Sequence, residues 1–125
     1  MRIGAAQIPV TTNVEDNLKN ILEACDWAVK NKLDYLLTPE CALSGYDTMS
    51  WNLNTCGPTE QAMEKLKEYS KNTGLGLAIG TLWIYDKDKQ GTGFGNGIHR
   101  NQLTFIQKGE IIGYVAKRNI AECDY

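Results

Sequence analysis

The strongest constraint on the fold lies in the first 39 residues. Met1 to Val10 alternates loosely through Ile3, Ala5, Gln7 and Val10, as a strand at or near the amino terminus does. Asn13 then opens a segment with Glu15 and Asp16 in its first turn, where negative charge favours the helix dipole. Leu18, Ile21, Leu22, Cys25, Ala28 and Val29 recur at i, i+3 and i+4, the stripe of a helix lying on a core, and predict a helix running to about Lys32. Leu33-Asp34-Tyr35-Leu36-Leu37-Thr38 follows as an apolar run of strand length, ended by Pro39. Strand, long helix, strand is a crossover unit, and such units build parallel or mixed sheets covered by helices. The fold class is α/β on this ground alone.

From Glu40 to Pro58 the sequence is irregular, with Gly45, Asn52, Asn54 and Gly57. A second helix is predicted from about Thr59, with Ala62, Met63, Leu66 and Tyr69 on one face and Gly74 placed to cap its end. Leu75 to Tyr85 reads as a strand broken by glycines, and 86–97 as a loop rich in charge and glycine. Gln102 to Gln107 and Glu110 to Lys117 read as two strands joined by a tight Lys108-Gly109 turn. The order is β-α-β-α-β-β-β with no internal repeat. At 125 residues this is one domain, spanning 1–125, and long enough to bury a core.

Charge excludes several function classes. Thirteen Lys and Arg stand against fifteen Asp and Glu, interspersed, so no domain-wide basic footprint for nucleic acid and no polybasic membrane patch exists. No apolar run approaches the roughly 18 residues of a membrane span, and the amino terminus lacks the apolar region of a signal peptide, so a cytoplasmic protein is expected. Cys25, Cys41, Cys56 and Cys123 are then expected to be reduced. With no Cys-x-x-Cys pair and a single histidine, His99, without a partner at ligand spacing, no metal site is expected.

Two apparent motifs fail on inspection. Asp86-Lys87-Asp88-Lys89-Gln90-Gly91 has the alternating ligands of a calcium loop, but the twelfth position, which needs a bidentate Glu, is Gly97. Gly91, Gly93, Gly95 and Gly97 lead toward a strand, whereas a phosphate-cradling loop opens a helix. Cys25 belongs to the apolar stripe of the first helix. Cys41 and Cys56 stand in or beside the irregular segment, and neither is followed by a clear helix start that would lower a thiol pKa.

Glu40 is different in kind. It follows Pro39 at the carboxyl end of a strand, where α/β sheets expose their site residues, and a carboxylate there can serve as a general base. Lys117 likewise ends a strand, and an ammonium beside a carboxylate can stabilise an oxyanion on a substrate carbonyl. The two residues alone leave open the alternative of two surface charges at strand ends.

Gln7 in the first strand, Pro39-Glu40-Cys41-Ala42-Leu43-Ser44-Gly45-Tyr46 after the second, and Asn101-Gln102-Leu103-Thr104-Phe105-Ile106 leading through Gly109-Glu110-Ile111-Ile112-Gly113 to Lys117-Arg118-Asn119-Ile120 resemble the carbon-nitrogen hydrolase (nitrilase) family. The likeness covers essentially the whole chain in the family's order and approximate spacing. It implies an α-β-β-α sandwich that uses a Glu, a Lys and a Cys to hydrolyse non-peptide carbon-nitrogen bonds in small amides, carbamoyl compounds or nitriles, with no metal or organic cofactor. Glu40 matches the family's general base, Lys117 its oxyanion-stabilising lysine, and Tyr46 a substrate-binding position on the loop beside the pocket. Pairing of subunits through sandwich helices, giving a homo-oligomer, is a further implication.

The resemblance also marks what this sequence lacks. The family's catalytic cysteine lies a few dozen residues beyond the lysine, and Cys123 is six residues after Lys117, too close to fill the role. Glu122 is one candidate for the family's second glutamate but stands nearer Lys117 in sequence than the family's does, the alternative being a residue past Tyr125, and Val115 stands where many members carry an aromatic residue.

Two readings follow. In one, the chain is the amino-terminal half of a Cys-Glu-Lys amidohydrolase, truncated before the nucleophile and inactive as it stands. In the other it is a non-catalytic binding or assembly module made of half a sandwich, with Ile106, Ile111 and Val115 on an apolar sheet face that needs a partner.

Overall fold

In the structure, a computed structural model describing residues 1–46, 56–90 and 96–117, the crossover unit forms as the sequence predicts. Strands β1 (Ile3–Ala5) and β2 (Tyr35–Leu37) pair in parallel, Ile3 beside Tyr35 and Ala5 beside Leu37, and helix α1 (Val14–Lys30) connects them. β1 is confined to three residues of the alternating Met1 to Val10 segment. Asn13 caps α1, its Oδ1 accepting the Asp16 N–H at 2.9 Å, which satisfies one of the amides that a helix start leaves open. Leu18, Ile21, Cys25 and Ala28 are the buried face, as their spacing requires.

Helix α2 (Gly57–Thr73) begins two residues ahead of the predicted Thr59, with Cys56 at its N-cap. Cys56, which the sequence did not mark as preceding a clear helix start, stands directly before the helix. Pro58 accounts for the early start, because its fixed φ and missing N–H suit a first helical turn. Gly74 ends the helix at φ 79°, its N–H donating to Ser70 O at 2.8 Å, the left-handed cap predicted for it.

Strands β3 (Gly76–Gln90), β4 (Asn96–Gln107) and β5 (Glu110–Ala116) complete a five-stranded sheet in the order β1-β2-β3-β4-β5. β1, β2 and β3 run parallel, whereas β3, β4 and β5 pair antiparallel, so the sheet is mixed and the fold α/β. The predicted 86–97 loop is corrected: β3 continues to Gln90 and β4 starts at Asn96, with Asp86 paired to Ile98 and Gln90 to Asn96. Gly91, Gly93 and Gly95 lie outside the described residues. At the β4–β5 turn Lys108 and Gly109 hold φ values of 51° and 83°, the double left-handed conformation of a two-residue hairpin loop.

Both helices lie on one sheet face. Leu36 pairs with Leu77 and Leu77 with Ile106, so these side chains project to the same side, where they form one core with Leu18, Ile21 and Cys25 of α1 and Ala62, Met63 and Leu66 of α2. Ile106 is 0% exposed within this core, which corrects its placement on an open face. Ile106 lies opposite Leu77 and alternates with Phe105, so it faces the helices; the β-bulge falls in β5, where Gly113 pairs with Phe105 and Ile111 with Ile106, leaving Ile112 as the extra residue. Ile111 and Val115 are exposed, at 45% and 60%. The opposite sheet face carries Ile3, Leu37, Leu103, Phe105 and Val115 and no described helix.

Candidate active site

The turn after β2 determines where Glu40 sits, and its placement follows from backbone accounting. β2 pairs with β3 only through Leu37, so the next polar groups of β3 need other partners. The turn supplies them. Thr38 N–H and Oγ1 both donate to Ala78 O at 3.0 Å, and the same Oγ1 accepts from Gly80 N–H at 2.9 Å. Leu43 N–H donates to Gly80 O at 3.0 Å, and Ser44 Oγ accepts from Leu82 N–H at 2.8 Å. Residues 38–44 are thus tied along β3 at both ends.

Gly80 permits this close seating. A Cβ there would collide with Pro39 O and meet Cys41 N at 3.0 Å. Gly45 closes the turn at φ 79°, with its own missing Cβ facing Thr11 O. Cys41 adopts φ 54°, a left-handed conformation uncommon for a residue with a side chain, immediately after Glu40.

Glu40 and Lys117 meet, although 77 positions separate them in sequence. Lys117 Nζ donates to Glu40 Oε1 at 2.9 Å. Asn101, on β4, donates from Nδ2 to the same oxygen at 2.6 Å, and Tyr46 Oη donates to Glu40 Oε2 at 2.7 Å. Hydrogen bonds from Tyr46, Lys117 and Asn101, with the Lys117 charge, hold the Glu40 carboxyl below the usual carboxylate range despite the opposing effect of burial. Burial and then the bond to Glu40 push the Tyr46 phenol well above its usual range, so it remains a donor. Glu40, Asn101 and Lys117 rim an open cleft of about 300 Å³ whose apolar wall includes Leu37, Leu103 and Val115.

Every predicted site residue therefore falls in one cluster, and Tyr46 contacts the carboxylate itself rather than only flanking a pocket. Sequence reasoning missed Asn101, because an amide in mid-strand has no spacing signature; its one trace is membership of the Asn101 to Ile106 motif. It also missed Asn17, which is 0% exposed and ties α1 to the site turn. Asn17 Oδ1 accepts from Thr11 N–H and Thr11 Oγ1, both at 2.9 Å, while its Nδ2 donates to Thr11 O at 2.8 Å and Leu43 O at 3.1 Å.

None of the described thiols lines the cleft, although Cys41 reaches its rim through Asn101. Cys25, Cys41 and Cys56 are buried thiols outside any disulfide. Desolvation, then the neighbouring Asp26, pushes Cys25 up to about 12. Cys41 Sγ donates to Asn101 Oδ1 at 3.7 Å, and Cys56 Sγ to Glu60 Oε1 at 3.7 Å. Cys123 and Glu122 lie outside the described residues. Among the described residues no three His, Cys, Asp or Glu side chains group as metal ligands, and no helix is long and apolar enough to cross a membrane.

A mixed sheet with helices on one face and a carboxylate, ammonium and amide gathered over the other defines an α/β protein of the nitrilase fold. The chain belongs to the carbon-nitrogen hydrolase family, whose sequence model matches residues 2–125. It is 26% identical over 123 residues to nitrilase homolog 2 of Dictyostelium discoideum, covering 98% of this chain and 36% of that protein. A solved amidase from Nesterenkonia sp. is similar in fold, with a TM-score of 0.78 and 17% identity over 99% of this chain and 45% of its own. A glutamine-dependent NAD(+) synthetase from Cytophaga hutchinsonii aligns at TM-score 0.73 and 25% identity over 98% of this chain and 20% of its own. The chain thus spans less than half the length of each of these relatives.

Proposed function

We propose that this chain supplies the general base and the oxyanion-stabilising cation of an enzyme that hydrolyses a non-peptide carbon-nitrogen bond in a small amide, carbamoyl compound or nitrile. The observation that carries the reading is the Glu40 carboxylate, bonded at once by Lys117 at 2.9 Å and Tyr46 at 2.7 Å beside an open cleft. Membership of the carbon-nitrogen hydrolase family supports it independently.

With an amide substrate, a thiol attacks the carbonyl carbon as Glu40 accepts its proton, and Lys117 stabilises the charge gathering on the carbonyl oxygen. Glu40 then passes the proton to the departing nitrogen, so that ammonia or an amine leaves and a thioester remains. Water, deprotonated by Glu40, attacks the thioester, releasing a carboxylic acid and restoring the thiol. Tyr46 orients the carboxylate throughout and borders the substrate. Leu37, Leu103 and Val115 receive a small apolar acyl group.

The attacking thiol belongs to a segment outside the described residues. Cys25, Cys41 and Cys56 are 0%, 1% and 4% exposed and closed to substrate. On this reading residues 1–125 without that thiol do not turn over. The chemistry assigned to Glu40, Lys117 and the thiol needs no metal or organic cofactor.

Mass spectrometry of the protein expressed from its complete coding sequence, after brief exposure to a small amide, tests the scheme. An acyl adduct on one cysteine is expected, and Glu40→Gln should suppress its formation. An undiminished adduct in Glu40→Gln would remove Glu40 from the mechanism. No adduct and no ammonia from any amide would favour a non-catalytic module, the reading to which the uncovered apolar face of the sheet lends its support.

A further inference from the structure

The Glu40 carboxylate and the Lys117 ammonium approach from elements that do not pair with each other: a turn after β2 and the residue after β5. Asn101, on β4, touches both segments. Its side-chain Nδ2 donates to Glu40 Oε1 at 2.6 Å, and its main-chain carbonyl oxygen accepts the backbone N–H of Lys117 at 2.7 Å. The amide has one workable orientation, since an ionised carboxylate only accepts and the NH₂ must face it. Asn101 Oδ1 is then turned to the Cys41 thiol, which donates to it at 3.7 Å from the residue next to Glu40. The left-handed backbone of Cys41, at φ 54°, accompanies this contact.

We infer that Asn101 is the positioning residue of the site, its side-chain amide fixing the Glu40 carboxylate beside the Lys117 segment that its main chain anchors, so that base and cation share one oxygen. Leu, Ser or Asp keep the main-chain bond but cannot reproduce the side-chain one. Leu and Ser lack the amide NH₂, and Asp sets a second carboxylate against Glu40, which disfavours ionisation of both. The inference rests on Glu40 acting as the base, and its primary test needs no turnover, so the two readings fail separately.

The test is carbon-detected NMR titration of the Glu40 carboxyl, followed beside the Asn101 side-chain amide in the unaltered protein. Glu40 should titrate below the usual carboxylate range, and the Asn101 NH₂ resonances should shift with the same midpoint. An Asn101 amide indifferent to that titration would overturn the inference, with no variant required. In Asn101→Ser the Glu40 midpoint should move up, and in the near-isosteric Asn101→Asp further up; midpoints equal to that of the unaltered protein would also overturn it. In the active enzyme the acid limb of the pH–rate profile should move to higher pH in Asn101→Asp, a change that simple loss of stability does not produce.

Discussion

Asn17 and Glu40 illustrate opposite uses of a polar side chain. Asn17 is fully buried with all four hydrogen-bonding positions of its amide filled, three of them by Thr11 and one by Leu43. Asn17→Asp loses both donors and buries a charge beside two carbonyl oxygens, so it should destabilise the fold by roughly 2 kcal/mol or more in urea unfolding. A change under about 0.5 kcal/mol, the size of an ordinary surface substitution, would contradict the assigned role. Glu40 by contrast remains partly exposed, and its lowered pKa makes it a pH-linked group. The unfolded carboxyl binds a proton before the folded one does, so the stabilisation is present above the ordinary value of 4.5 and is lost as pH falls through the lower folded value. Glu40 was legible as a carboxylate at a strand end. Asn17 was not, because in sequence it is one more polar residue in a first helical turn, and its four bonds exist only once the Thr11 and Leu43 loops have folded over it.

At the scale of elements, regular packing was legible and cross-strand geometry was not. The α1 stripe, the Gly74 cap and the Lys108-Gly109 turn each carry a local signal, since periodicity or φ decides them within a few residues. The extension of β3 to Gln90 rests instead on pairing with β4, and a run such as Asp86-Lys87-Asp88-Lys89 carries no alternation to announce it. Ile106 was assigned to the wrong face for a related reason: its side is set by its register opposite Leu77, and the bulge at Ile112 separates Ile111 from Val115, whose spacing alone would put them on one face. The seating of the site turn on β3 gives a prediction at this scale. Gly80→Ala places a methyl against Pro39 O and should cost about 1–3 kcal/mol while displacing Glu40 from Lys117. Gly113→Ala, with nothing within 4 Å of the new carbon, is the control and should leave stability unchanged or slightly raised. Equal unfolding midpoints for the two variants would contradict the close approach at Gly80.

For the molecule as a whole, the mixed sheet separates two tasks. One face buries Leu36, Leu77, Ile79 and Ile106 under both helices and holds the fold together. The other presents the polar cluster among exposed apolar side chains such as Leu37 and Val115. This division follows from the crossover connection, which places α1 and α2 on the same side and leaves the carboxyl end of β2 free to offer Glu40. The α/β class was legible from element order and the nitrilase-like fold from the family motif, whereas substrate choice was not, because one wall of a cleft does not define a pocket.

If Glu40 and Lys117 act on a carbon-nitrogen bond as proposed, the protein expressed from its complete coding sequence should release ammonia from small amides. Glu40→Gln should lower kcat/KM by about 10²–10⁴-fold, the range expected for a general base, with a comparable loss for Lys117→Met. Release at an unchanged rate in both variants would contradict the proposal.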